Sequence, residues 1–199
     1  MKIILVGGTG TIGKAVVKEL KTRHEIIIVG HQHGDLQVDI EDSESIDKLY
    51  KSVGTFNALI STTGKVHFAE LNTMTPENYA IGLNNKLMGQ VNLVLIGSRY
   101  ITDSGSFTLT SGILSEDPIR FGSSASMVNG ALDSFVKAAA IELPRGIRIN
   151  CVSPTVITES MPKYAEYFRG FESADAKRVA LAYSKSVEGA QTGKIYSVL

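Results

Sequence analysis

The chain has 199 residues, 43% hydrophobic and 20% charged, which suits one soluble globular domain, residues 1–199, with a sizeable core. Twenty basic residues balance twenty acidic ones, so bulk charge favours neither a nucleic acid nor an anionic membrane as partner. One cysteine, Cys151 in the apolar run Ile147–Val152, excludes an internal disulfide and is expected as a small buried core residue.

Ile3–Val6 is too short for a membrane span or signal peptide and reads as a buried strand, leaving the cytoplasm as the expected location. Gly7, Gly10 and Gly13 follow at three-residue spacing, and Ala15, Val16, Val17 and Leu20 continue with helical periodicity. Glu25–Val29 is a β-branched strand, Gly30–Gly34 a turn, and Leu36–Val38 a short third strand closed by Asp39. Ser43, as N-cap, opens an amphipathic helix through Val53, and Phe56–Ile60 is the fourth strand. A long helix is expected from Thr75 to about Tyr100, with Pro76 at its first position. Ser106–Thr110 is strand five, Ser124–Leu143 a helix with a small-residue face, and Gly146–Val152 strand six. Residues 153–174 read as irregular, Asp175–Ser184 as helical, and Lys194–Val198 as a last strand. Alternating strands and helices imply a three-layer, doubly wound parallel sheet of about seven strands, Rossmann-like, with ligands at the strand carboxyl ends.

Strand, glycine turn and helix form the context of a dinucleotide fingerprint. One glycine permits the turn, one lets backbone approach a pyrophosphate, and one lets helix and strand pack closely. The phosphates then meet unpaired N–H groups at a helix N-terminus. Gly8 to Lys14 also fits most of a triphosphate-binding loop, but Ala15 stands where that motif needs a hydroxyl for magnesium.

With these motifs in order, the chain resembles the short-chain dehydrogenase/reductase family along its whole length. The turn Gly7, Thr9, Gly10, Thr11, Ile12 and Gly13 is similar to the family's glycine motif. Asp39-Ile40 falls where the family places an acid against the adenine, and Ser61-Thr62-Thr63-Gly64 where most members carry Asn-Asn-Ala-Gly. Pro154-Thr155-Val156 resembles the turn along the nicotinamide, with Thr155 in place of glycine. Ser111 matches the active-site serine after strand five.

The family's Tyr-x-x-x-Lys pair has no counterpart here. Ala125 aligns with the tyrosine and Asn129 with the lysine, and none of the seven tyrosines has a lysine four residues on. An unassisted phenol, with a pKa near ~10, is a poor acid–base group at neutral pH, and losing such a group costs about 10²–10⁴ in rate. Lys86, Ser124, Ser126 and Asn129 are the candidate substitutes. Lys86 aligns with the family's relay asparagine; it is expected to be an exposed helix lysine, with a desolvated lysine of near-neutral pKa as the alternative. For Ser111, a substrate hydrogen bond and a plain strand-end cap stand equal.

The end of strand two lacks the acid that would bond a ribose 2′-hydroxyl, which favours NADP(H) over NAD(H), with His31 a phosphate contact. His31 and His33 lack a third ligand, so no metal site is expected. His67 and Arg120 lie in loops at the same sheet edge, and Tyr164, Tyr167, Phe168 and Phe171 are either substrate-lid or core aromatics. The resemblance implies a homodimer or homotetramer through residues 75–100 and 124–143. Two functions remain open: an oxidoreductase acting on a small carbonyl or alcohol with a non-standard proton donor, and a catalytically inactive NADP(H)-binding sensor.

Overall fold

The structure is a computed structural model and describes residues 1–199. Its alternating residues dictate the layers. In β1 (Lys2–Val6), Ile4 and Val6 face one side of the sheet and Ile3 and Leu5 the other, as a period of two requires. The first pair joins a core with Ile46, Leu49 and Tyr50 of α2 (Ser43–Val53), Leu93 and Val94 of α4 (Gly89–Gly97), and Leu132 and Val136 of α5 (Ser123–Glu142). The second pair packs on Val16 and Leu20 of α1 (Thr11–Leu20) and on Val179, Tyr183 and Val187 of α7 (Ala176–Glu188). Helices therefore cover both faces, and every strand pair is parallel.

The remaining strands are β2 (Glu25–Gly30), β3 (Leu36–Gln37), β4 (Phe56–Ser61), β5 (Ile101–Thr110), β6 (Arg148–Pro154) and β7 (Ile195–Val198). Their order, β3-β2-β1-β4-β5-β6-β7, reverses direction between β1 and β4. The loops after β1 and β4 diverge there and leave a crevice at the carboxyl edge. No helix is long and apolar enough to cross a membrane.

Four local expectations need correction. The N-cap of α2 is Asp42, whose carboxylate accepts from the Glu44 N–H at 2.9 Å, rather than Ser43. Strand β5 begins at Ile101, five residues early, because a register shift opposite Phe56 and Ala58 absorbs the extra residues. Residues 153–174 are less irregular than expected: β6 runs to Pro154, and a short helix α6 (Met161–Tyr164) follows. Pro76 does sit at a helix start, but the expected long helix is broken. It comprises α3 (Pro76–Ile81), a π-helical segment (Gly82–Met88) and α4. Such wide turns are uncommon and turn side chains to unusual directions, often at functional sites.

Gly13 is where β1 and α1 meet. A Cβ there would collide with the Gly7 carbonyl oxygen and lie 2.6 Å from the Gly8 Cα, both backbone atoms that cannot swing aside. Gly13→Ala is accordingly expected to lose about 1–3 kcal/mol of stability, even though alanine is the better helix former. Denaturant unfolding followed by circular dichroism checks this; an unchanged or higher midpoint would contradict the packing role.

Candidate functional site

Nine of the residues singled out in the sequence line one cleft of about 500 Å³: Gly7, Thr9, Gly10, His31, Asp39, Ile40, Thr62, Thr63 and Gly64. Gly7 has φ +85° and donates to the Val29 carbonyl at 2.8 Å, which starts the turn, and Gly10 donates to the Gly7 carbonyl at 3.0 Å. Gly10 then caps α1 without any side chain, and no acid lies in the first turn. The helix N-terminus therefore keeps free N–H donors and an uncompensated positive dipole end at the cleft, a fitting cradle for a pyrophosphate.

The other proposed cofactor contacts lie outside the lining of this cleft. Thr11 is exposed at the start of α1, Ile12 packs on the α1–α7 core, and Gly13 is buried at the crossing. Ser61 is buried, its hydroxyl paired with the Thr63 hydroxyl at 2.7 Å. Pro154 ends β6, the Thr155 hydroxyl donates to the Glu172 carbonyl at 3.0 Å, and Val156 joins a small apolar cluster under residues 161–171.

Val6 and Gly30, at the ends of β1 and β2, also line the cleft, and sequence reasoning missed Val38, Glu41, Lys65 and Asn85, which complete it. Asn85 links its two sides: Nδ2 donates to Glu41 Oε1 at 2.6 Å, and Oδ1 accepts from the Lys65 N–H at 2.7 Å. Asn85 points inward because of the π-helical turn, which leaves no periodic signal in the sequence.

Lys86, the next residue, is the main correction at the site. It is half-buried rather than exposed: its stem crosses Gly64, and Nζ donates to the Ser111 carbonyl at 2.9 Å. Burial lowers its pKa to about 8, a shift that Cys151 and Asp133 oppose electrostatically. Ser111, just beyond β5, is 3% exposed, and its hydroxyl is buried beside the Cys151 thiol rather than bonded to a strand-end backbone group. Asn129 Nδ2 donates to the Gly112 carbonyl at 3.2 Å, while its Oδ1 and the buried hydroxyls of Ser124 and Ser126 lack partners. Gln90 is fully buried and holds the end of β5 from both sides, donating to the Thr110 carbonyl and accepting from the Thr110 N–H, each at 2.9 Å. Cys151 is a buried thiol that burial pushes up to about 12, an inert core residue as expected.

The aromatic segment divides between its two expected roles. Phe168 and Phe171 pack with Ile113, Leu114 and Val156. Tyr164 both touches that cluster and lines a second cavity of about 500 Å³ bounded by Gly64 and Lys65, and Tyr167 lines the cavity. Arg120 lies in a separate groove with Glu70 and Phe121, and His67 is half-buried in the loop after β4.

A family described as enoyl-(acyl carrier protein) reductase has a model that matches residues 9–196. The chain belongs to the short-chain dehydrogenase/reductase family. L-xylulose reductase of Bos taurus is 26% identical over 180 residues, covering 81% of this chain and 74% of that protein. The oxidoreductase YmfI of Bacillus subtilis (strain 168) is 26% identical over 184 residues, covering 79% and 75%. The crystal structure of lin1944 from Listeria innocua superposes with a TM-score of 0.99 at 51% identity over the full length of both chains. A small-chain dehydrogenase in complex with NADPH superposes at 0.90 with 25% identity, covering 100% of this chain and 96% of that one. The parallel sheet, the glycine turn and the crevice are thus this family's nucleotide-binding architecture.

Gly64 has φ +140°, and a Cβ there would stand 2.7 Å from the Lys86 Cβ and closer still to its Cγ. Gly64→Ala is expected to lose about 1–3 kcal/mol through backbone strain and displacement of Lys86. A double-mutant cycle with Lys86→Ala reads the contact directly: the Gly64→Ala cost should shrink when the stem is absent. Full additivity would mean the two residues are not packed together.

Proposed function

We propose that this short-chain dehydrogenase/reductase is an NADP(H)-dependent oxidoreductase acting on a small carbonyl or alcohol, with Lys86 as its proton donor. The observation that carries the reading is Lys86 itself, a cation held on the Ser111 carbonyl beside the cleft, with its pKa brought to about 8. With Ala125 and Asn129 at the positions of the family's tyrosine and lysine, the usual phenol is not available to this chain.

Gly7, Thr9 and Gly10 would hold the pyrophosphate, Asp39 and Ile40 the adenine, and Thr62 to Gly64 the adjoining ribose. When bound, reduced nicotinamide supplies hydride to the substrate's carbonyl carbon. Lys86 donates the matching proton to the carbonyl oxygen, giving the alcohol, and regains it from solvent. Its ammonium has three N–H donors and gives one to Ser111, leaving two for substrate. Ser111 orients the ammonium through its backbone carbonyl, its own hydroxyl being buried beside the Cys151 thiol, and Asn129 positions the Gly112 turn.

Two features support NADP(H) over NAD(H). His31 lines the cleft just after β2, where a carboxylate would repel a 2′-phosphate. The next acid, Asp35, is turned back to accept from the Ile28 N–H at 2.9 Å. A relative in complex with NADPH fits the same preference. Exposed Leu83, Met88, Leu95 and Met127 on the π-helical segment, α4 and α5 support a homodimer or homotetramer.

The pH dependence has a defined sign. Reduction needs the Lys86 ammonium, so kcat/KM should be flat below about pH 8 and fall about tenfold per unit above it. Alcohol oxidation needs the neutral amine and should rise over the same range. NADPH oxidation followed by absorbance across a carbonyl panel checks this, with Lys86→Met expected to cost about 10²–10⁴ in kcat. Full activity in Lys86→Met would remove the proposed role. Tight NADPH binding with no turnover of any carbonyl would favour a cofactor-bound sensor instead.

A further inference from the structure

The cofactor cleft and the second cavity adjoin, sharing Gly64 and Lys65 in their linings. Its walls are Val66, Phe68, Ile119, Tyr164 and Tyr167, and its only charged side chains are Lys65 and Lys163. Apolar walls of this volume suit a small organic molecule, and a few polar groups at the edge fix its orientation. We propose that this cavity selects an aromatic carbonyl compound carrying a carboxylate, with Lys163 as the residue that reads the anion. The inference rests on the oxidoreductase function proposed above and specifies its substrate class.

The preference for an aromatic body follows from the walls. Phe68 and Tyr164 stand with ring centres 6.4 Å apart, and Tyr167 is held edge-on by Phe121 at 6.0 Å. Fixed rings offer faces and edges to a planar ligand, which gains more from them than an aliphatic chain of equal area. Phe168 and Phe171, packed 5.3 Å apart at 78°, anchor the segment that carries the tyrosines.

The preference for an anion follows from the charges. No acidic residue lines the cavity, and neither Lys65 nor Lys163 is among the residues that form ion pairs. Lys163 Nζ sits 5.2 Å from the centre of the Tyr164 ring, so the cation rests on the aromatic wall without a counter-ion. Arg120 adds a third positive charge nearby, 5.3 Å from the Phe121 ring centre, where it shares a neighbouring groove with Glu70. Glu159, the acid closest before Lys163 in sequence, is engaged elsewhere: both its carboxylate oxygens accept from the Ala176 N–H, at 3.1 and 3.2 Å. Glu166, two residues before the buried Phe168, is exposed.

The test compares 4-carboxybenzaldehyde with its methyl ester, titrated calorimetrically into the free protein and into the protein saturated with NADP⁺, which cannot reduce either compound. The acid should bind at least about tenfold tighter than the ester, and the difference should narrow as salt rises. Lys163→Gln should remove most of that difference while leaving NADP⁺ affinity and ester affinity within about twofold. Phe68→Ala should weaken both ligands together. Equal affinity for acid and ester, or an acid preference untouched by Lys163→Gln, would overturn the inference, as would failure of both compounds to bind at millimolar concentration. Acid-selective binding in a protein that ignores all nicotinamide cofactors would instead sink the oxidoreductase reading and leave the anion-reading role of Lys163 intact.

Discussion

No side chain fits where the first turn crosses the first helix. The carbonyl of Gly7 and the backbone of Gly8 occupy the space a Cβ on Gly13 would need, so β1 and α1 approach at backbone distance. That contact aims the start of α1 at the sheet's carboxyl edge. Because Gly10 caps the helix with no side chain, its free N–H groups face the cleft rather than a capping oxygen. The parallel sheet then brings the loops after β2 and β4 to the same edge, so residues far apart in sequence line one cleft. The nucleotide-binding architecture of the family follows from one steric constraint repeated by a regular topology.

The acid–base role proposed for Lys86 depends on a different device. A lysine placed near an apolar core loses hydration, and its charged form becomes less favourable. Here that cost is limited by one carbonyl, Ser111, and by the exposed fraction of the side chain. The outcome is a cation still protonated at neutral pH with a pKa close to the working range, a useful condition for a proton donor. The π-helical turn and Gly64 are both needed for this placement. One turns Lys86 inward, and the other leaves room for its stem.

How much of this was legible in the sequence depends on whether local pattern or tertiary packing sets the feature. The strands and the glycine turn were readable because β-branched runs and three-residue glycine spacing are local signals. The cleft residues Asp39 and Thr62 to Gly64 were readable because ligands gather after parallel strands. For Lys86 the sequence leaves an exposed and a desolvated lysine both open and favours the exposed one, because a uniform α-helix over residues 75–100 gives no reason to bury it. The π-helical segment that buries it begins at Gly82, which packs closely against Ser124 and Val128 of α5. Asn85 and Glu41, 44 positions apart, were missed for the same reason: their hydrogen bond exists only after α3 and the π-helical turn fold over the sheet edge. The early start of β5 likewise depends on a register shift against β4 that no single-strand pattern reveals.

The central claim is that the Gly7–Gly13 turn holds a nicotinamide dinucleotide, and a thermal melt tests it most directly. The protein is melted alone and with NADPH, NADP⁺, NADH or NAD⁺ in turn. A ligand at 100 times its Kd adds about 2.7 kcal/mol, which in a chain of this size raises Tm by roughly 5–10 °C. The expected result is a clear rise with NADPH and NADP⁺ and a smaller one with NADH and NAD⁺. No rise with any of the four would contradict cofactor binding at this turn.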